Sequence, residues 1–234
     1  MRNSLILALV LAALLAYRAS AQPAARVAAS FADVHCGGGQ LVPIGNLLCF
    51  TCWGSGLKIY DVSAPNASRL LGKIHGEYLA LFAAGAGNIL CTSGRVPNEL
   101  TSALNVIDLS VPESPRVSCN VALEVEDDPS AIAMTSGRVY VAASRRRKDN
   151  DGKWIGVMPI YVFNLKDISH PQKSVTFESS GDAIALAAAK NTLYLLRKHM
   201  QYGNDTVTTL RAEFVSIDLS NPKLPTEQTA LEVD

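Results

Sequence analysis

Four copies of one pattern constrain this chain more tightly than any other feature of it. LKIYDVSAPNAS begins at Leu57, LNVIDLSVPESP at Leu104, IYVFNLKDISHP at Ile160 and FVSIDLSNPKLP at Phe214. Each holds an apolar run that reaches Asp61, Asp108, Asn164 or Asp218 and then passes into a stretch bearing Ser and Pro. These polar positions are separated by 47, 56 and 54 residues. That period suits a four-stranded unit and exceeds that of the shorter solenoid repeats.

A second pattern precedes each copy: YLALFAAGAGNILCTSG from Tyr78, SAIAMTSGRVYVAAS from Ser130, DAIALAAAKNTLYLLRK from Asp182 and, more weakly, LVPIGNLLCFTCW from Leu41. Each reads as a strand, a tight Gly- or Asn-containing turn and a second strand. After the shared Asp or Asn come a turn and a polar-leaning fourth strand, as in RVSCNVALE from Arg116 and QKSVTFE from Gln172. The unit is a four-stranded antiparallel meander. The expected fold is all-β, a β-propeller with blades at approximately 41–76, 79–123, 130–178 and 183–234.

The residue choices follow from packing. Sheets stacked face to face cover their inner strands on both sides and suppress polar/apolar alternation, as YVAAS and NILC show. Where first strands converge, small side chains relieve crowding. Ala80, Ala83 and Ala84 serve one blade, Ala131 and Ala133 the next, and Ala183, Ala185 and Ala187 the last. In the D-[VL]-S-x-P segments, Asp and Ser can accept from nearby backbone N–H groups in Asx- and ST-turns, and Pro helps to end the strand. Turn chemistry accounts for the recurring aspartates without a catalytic role.

LKIYDVSAP, LNVIDLSVP and FVSIDLSNP, each preceded by strands such as AIAMTSGRVYVAAS, resemble the LVIVD-repeat proteins. The resemblance spans Leu41 to Asp234 and implies an exported or cell-surface propeller. The third copy departs most, with Asn164 and Lys166 where Asp and Ser stand elsewhere. No general set of catalytic residues comes with the resemblance.

Arg2, the apolar run Leu5–Ala16 and Ala19-Ser20-Ala21 form a secretory signal pattern cleaved before Gln22. As a helix the apolar run rises about 18 Å, against a hydrocarbon core of about 30 Å. Residues 1–21 are therefore expected to be a signal peptide and residues 22–234 a secreted, cell-surface or periplasmic propeller domain with no membrane span. The 21 basic and 21 acidic residues give no net field for nucleic acid. The basic run Arg145–Lys148, next to Asp149 and Asp151, reads as a solvated loop.

Export permits disulfides, but the cysteines are five: Cys36, Cys49, Cys52, Cys91 and Cys119. Cys49 and Cys52 look like a redox pair. On a strand, however, residues three apart lie about 10 Å apart on opposite faces, beyond disulfide reach. The expectation is no Cys49–Cys52 bond and largely buried free thiols. At the ends, Val27–His35 reads as an outer strand with no blade before it, and TALEVD closes the sequence where an inner strand would follow. Either the final outer strand is displaced or the sequence is part of a longer propeller, and the second is the preferred reading.

Strand order groups the loops between second and third strands with those joining blades, at the end where propellers usually bind. The first group is 93–103, 144–159 and 198–212; the second is 35–40, 75–77, 124–129 and 179–182. Candidate ligand-face residues there are His35, His75, Glu77, Glu126, Asp127, Asp128 and Asp182. Four histidines without tight ligand spacing do not make a metal site. Asp149-Asn150-Asp151-Gly152 fails as an EF-hand, because Arg147 and Met158 take its end ligand positions. No cofactor is expected, a looser calcium site being the exception considered. Asn66-Ala67-Ser68 and Asn204-Asp205-Thr206 are N-glycosylation sequons.

No phosphate loop, HExxH or GxSxG occurs. The reading is a non-enzymatic exported scaffold that binds a protein or glycan. The alternative is a propeller enzyme, hydrolase- or lactonase-like, with its site at the channel mouth. Convergent carboxylates or histidines there would favour the enzyme; Ala, Ser and hydrophobes would favour the binder.

Overall fold

The computed structural model describes residues 39–52, 55–75, 82–95, 102–124, 127–148, 150–152, 154–202, 207–221 and 225–233. The expected signal peptide, the Val27–His35 strand, His35, Glu77 and Glu126 lie outside the described residues.

The described chain is all-β: four antiparallel four-stranded sheets and one 3-10 turn, Pro65–Ala67. The first sheet is β1 (Leu41–Ile44), β2 (Leu47–Cys52), β3 (Gly56–Asp61) and β4 (Arg69–Ile74). The second is β5 (Phe82–Ala86), β6 (Ile89–Arg95), β7 (Ser102–Asp108) and β8 (Arg116–Ala122). The third is β9 (Asp128–Thr135), β10 (Arg138–Lys148), β11 (Trp154–Asn164) and β12 (Gln172–Ser180). The fourth is β13 (Asp182–Ala189), β14 (Thr192–Tyr202), β15 (Val207–Asp218) and β16 (Thr226–Val233). In every sheet, spatial order equals chain order, so each is a meander.

The repeated sequence chemistry maps onto repeated geometry. Asp61, Asp108, Asn164 and Asp218 each accept, through Oδ1, the backbone N–H two residues on, at 2.8–2.9 Å. The intervening residue donates its own N–H to a carbonyl in the first hairpin: Val62 to Asn46, Leu109 to Asn88, Leu165 to Gly137 and Leu219 to Asn191. One Asx-turn and one long-range bond therefore lock each third strand against its sheet's first turn. Hydrogen bonding to the following Ser holds the carboxyls of Asp61, Asp108 and Asp218 below the usual range.

The first hairpin of each sheet turns through a positive φ: Gly45 at 57°, Gly87 at 62°, Gly137 at 91° and Lys190 at 53°. Among the described residues, Lys190 is the one non-glycine in that region, where an L side chain crowds its own backbone. Lys190→Gly, which copies the other repeats, is expected to raise stability by about 0.5–1 kcal/mol. Thermal unfolding checks it; an unchanged or lower melting temperature would contradict the strain.

Consecutive sheets pack face to face through three apolar clusters. Val42, Ile44, Cys49, Leu57 and Ile59 of the first sheet meet Ala83, Leu90, Ile107 and Leu109 of the second. Cys91, Leu104, Val106 and Leu123 then meet Val139, Val141, Tyr161 and Phe163 of the third. Tyr140, Met158, Ile160 and Val162 meet Leu193, Leu195, Val215 and Ile217 of the fourth. No sheet closes on itself, and among the described residues no buried cluster joins the fourth sheet to the first. The far face of the fourth sheet, with Phe214 and Leu231 in register, is exposed.

Two expectations change. Segments 144–159 and 198–212 are mostly strand, not loop: Arg145 to Lys148 pair with Val157 to Trp154, and His199 pairs with Arg211. The basic run is therefore not simply solvated. Arg147 bonds Glu178 at 3.0 Å and the Lys148 ammonium sits 5.3 Å from the Trp154 ring centre. Its charges gain partners because the paired arm brings other strands beside them. The cysteines differ too. Cys49 and Cys91 are buried free thiols, as expected, and burial pushes them up to about 11 and about 12. Cys52, however, is disulfide-bonded, to a partner outside the described residues. Strand geometry separates it from Cys49 but says nothing about cysteines elsewhere.

Candidate functional site

The first strand of each sheet lies at that sheet's edge, and these four edges converge. β1 lies beside β5, β5 beside β9, and β9 beside β13. Between them is a cavity of about 510 Å³. Its walls are Gly39, Gln40 and Leu41; Phe82 and Ala83; Ser130, Ala131 and Ile132; and Ile184, Ala185 and Leu186. In the last three sheets these residues stand near the start of the first strand, the end at which the segment linking consecutive sheets arrives. The sequence expectation placed ligands at that end.

Small residues are needed here for a steric reason: a large side chain at Ala83, Ala131 or Ala185 would fill the space where the strands meet. Gly39 shows how tight the approach is. A Cβ there would lie 1.8 Å from the Thr51 carbonyl oxygen, so only glycine lets the chain enter β1 on this path. Thr51, fully buried, then fixes Gln40 from both sides. Its N–H donates to the Gln40 carbonyl at 3.0 Å, and its Oγ1 accepts the Gln40 N–H at 3.0 Å. The Gln40 side chain crosses to the second sheet, where Oε1 accepts the Ala83 N–H at 2.6 Å.

Among the described residues, no charged side chain lines the cavity. The walls offer strand-edge amide groups, one carboxamide, one hydroxyl and apolar surface. Ser130 Oγ donates to the Ala142 carbonyl at 3.3 Å, within its own sheet. This arrangement can hold a neutral ligand by hydrogen bonds and apolar contact.

Of the sequence-nominated residues, His75, Asp127, Asp128 and Asp182 fall among the described ones. His75 is exposed just after β4. Asp128 and Asp182 open β9 and β13 at equivalent positions, the first exposed and the second buried. Asp127 is committed internally. Its side chain is 0% exposed, takes Arg145 Nε at 2.5 Å and Nη2 at 2.9 Å, and accepts the Tyr161 hydroxyl. Burial and the bond to Asp127 push the Tyr161 hydroxyl well above its ordinary range. The trio ties the link between the second and third sheets to β10 and β11. Among the described residues, no three His, Cys, Asp or Glu side chains are placed to hold a metal ion. No helix among them is long and apolar enough to cross a membrane.

A second charged network escaped the sequence reading. Arg197 and Glu213, both buried, meet across β14 and β15 at 2.8 Å. Glu213 also takes His199 at 3.0 Å and Arg211 at 3.0 Å. Arg197 Nη1 donates to Ser179 Oγ of the third sheet at 2.7 Å and to Glu227 at 2.8 Å. The network pins the fourth sheet to the third. The His199 and Arg197 bonds outweigh burial and hold the Glu213 carboxyl below its ordinary value of 4.5. A depressed folded-state pKa contributes stability above the unfolded value and loses it as pH falls through the folded one. Melting temperature should therefore fall as pH drops below about 4.5, the turn aspartates adding to the slope. Glu213→Gln should show a shallower slope in that window; an identical slope would exclude Glu213 as a contributor.

No family model matches the chain, and no curated protein does. Among solved structures it is similar to one titled "Crystal structure of the computationally designed Ika4 protein", at 14% identity and a TM-score of 0.46, over 79% of this chain and 97% of that one.

Proposed function

We propose that this chain is an exported β-propeller of the LVIVD-repeat type that works as a binding scaffold, capturing a protein or glycan at the cavity where its first strands meet. The four-fold repeat, the meander order of all four sheets and their face-to-face clusters support the propeller reading. The wall composition carries the functional reading: Ala, Ser, Gln and hydrophobes with strand-edge backbone. Sites that bind by shape are concave and mostly apolar, with a few placed polar groups, and this cavity falls within their usual size of about 300–1,000 Å³. Two buried charged groups of the described chain, Asp127 and Glu213, are engaged in internal ion pairs with Arg145 and Arg197.

The test is to screen the purified protein against immobilised glycans and a peptide library, and to incubate each captured ligand with excess protein before mass spectrometry. The expected result is saturable capture with ligand recovered intact. Recovery of hydrolysed product at a rate proportional to protein would overturn it in favour of an enzyme.

A further inference from the structure

Building on the cavity as the binding site, we infer that it recognises an uncharged amide, such as the N-acetyl group of an aminosugar or a carboxamide side chain. Each wall strand is hydrogen-bonded to a neighbour on one side only, so its other edge carries N–H and C=O groups that the sheet does not use. A ligand amide brings one acceptor and at least one donor, the complement of such an edge.

The protein supplies its own example of this bond. Gln40 places a carboxamide oxygen 2.6 Å from the Ala83 backbone nitrogen, joining the first sheet to the edge of the second through an amide. Ile132 and Leu186 stand at the position of Ala83 in their own hairpins, three residues before the last paired residue, so strand alternation turns their N–H and C=O groups to the open edge. Phe82, Ile132 and Ile184 provide the apolar surface that an acetyl methyl or a sugar face would cover. Among the described residues the walls carry no cation for an anionic group.

The probe is N-acetylglucosamine, titrated into the nitrogen-15-labelled chain and followed by the backbone amide resonances of Ile132 and Leu186. Saturable shifts at these positions are expected. Glucose, which lacks the amide, should bind about tenfold more weakly, the factor that one hydrogen bond of about 1.4 kcal/mol supplies. Acetate should leave the resonances unmoved. Equal response to glucose, or no response to N-acetylglucosamine, would overturn the inference. In Gln40→Ala, the Ala83 amide proton should move upfield and acetamide should return it; an Ala83 proton indifferent to both would also count against it. If a ligand captured in the screen shifts these amides while N-acetylglucosamine does not, amide recognition fails and the cavity reading stands. If captured ligands shift only distant residues, both fail.

Discussion

Replacing Arg145 by alanine is expected to lower the free energy of unfolding by about 3–5 kcal/mol, the cost of leaving one member of a buried ion pair without its partner. Asp127 has no exposed side-chain surface and would keep the hydroxyl of Tyr161 as a donor. At about 2–4 °C per kcal/mol for a domain of this size, the melting temperature should fall by roughly 6–20 °C. The double variant Asp127→Leu/Arg145→Met removes both charges together and should lose much less. Burying two charges costs nearly what their attraction returns, and the large penalty belongs to the orphaned carboxylate. A loss below about 1 kcal/mol in the single variant would mean that water reaches Asp127.

Leu104→Ala should cost about 3–4 kcal/mol. Leu104 is 0% exposed in β7, within the cluster that joins the second sheet to the third. Packing there is dense enough that neighbours cannot collapse fully into the space left behind. The two middle sheets each support an end sheet as well. Loosening this interface should therefore shift one cooperative urea transition to lower denaturant without changing its slope. Two separated transitions would show that the sheets fold as independent units.

The parts of the fold visible in the sequence are those set by local chemistry repeated four times. The spacing of Asp61, Asp108, Asn164 and Asp218 indicated four units, and turn preference alone placed their side chains on the backbone N–H two residues on. The clustering of Ala83, Ala131 and Ala185 marked the converging strands for a steric reason that needs no partner to be known. What stayed hidden depends on register. Arg145 sits in a run of basic residues that looks like a loop, and only the pairing of Lys148 with Trp154 reveals an arm. The Arg197–Glu213 pair is a cross-strand match that could be found by extending the hairpin register from Leu193 and Ile217. Gln40 gave no signal at all. Its role follows from Gly39 permitting a close approach to Thr51, a contact between residues that no periodicity links.

The central claim is that ligand binds where the four first strands converge. The most direct test fills that space: Ala185→Trp places an indole at an exposed position of the wall, while Lys190→Gly, in an exposed turn away from the cavity walls, serves as the folded control. Calorimetric titration of the tightest ligand from the glycan and peptide screen should give full affinity with wild type and Lys190→Gly. Ala185→Trp should lose at least a hundredfold, about 2.7 kcal/mol, with its circular dichroism and cooperative unfolding preserved. Undiminished binding by a folded Ala185→Trp protein would place the ligand elsewhere.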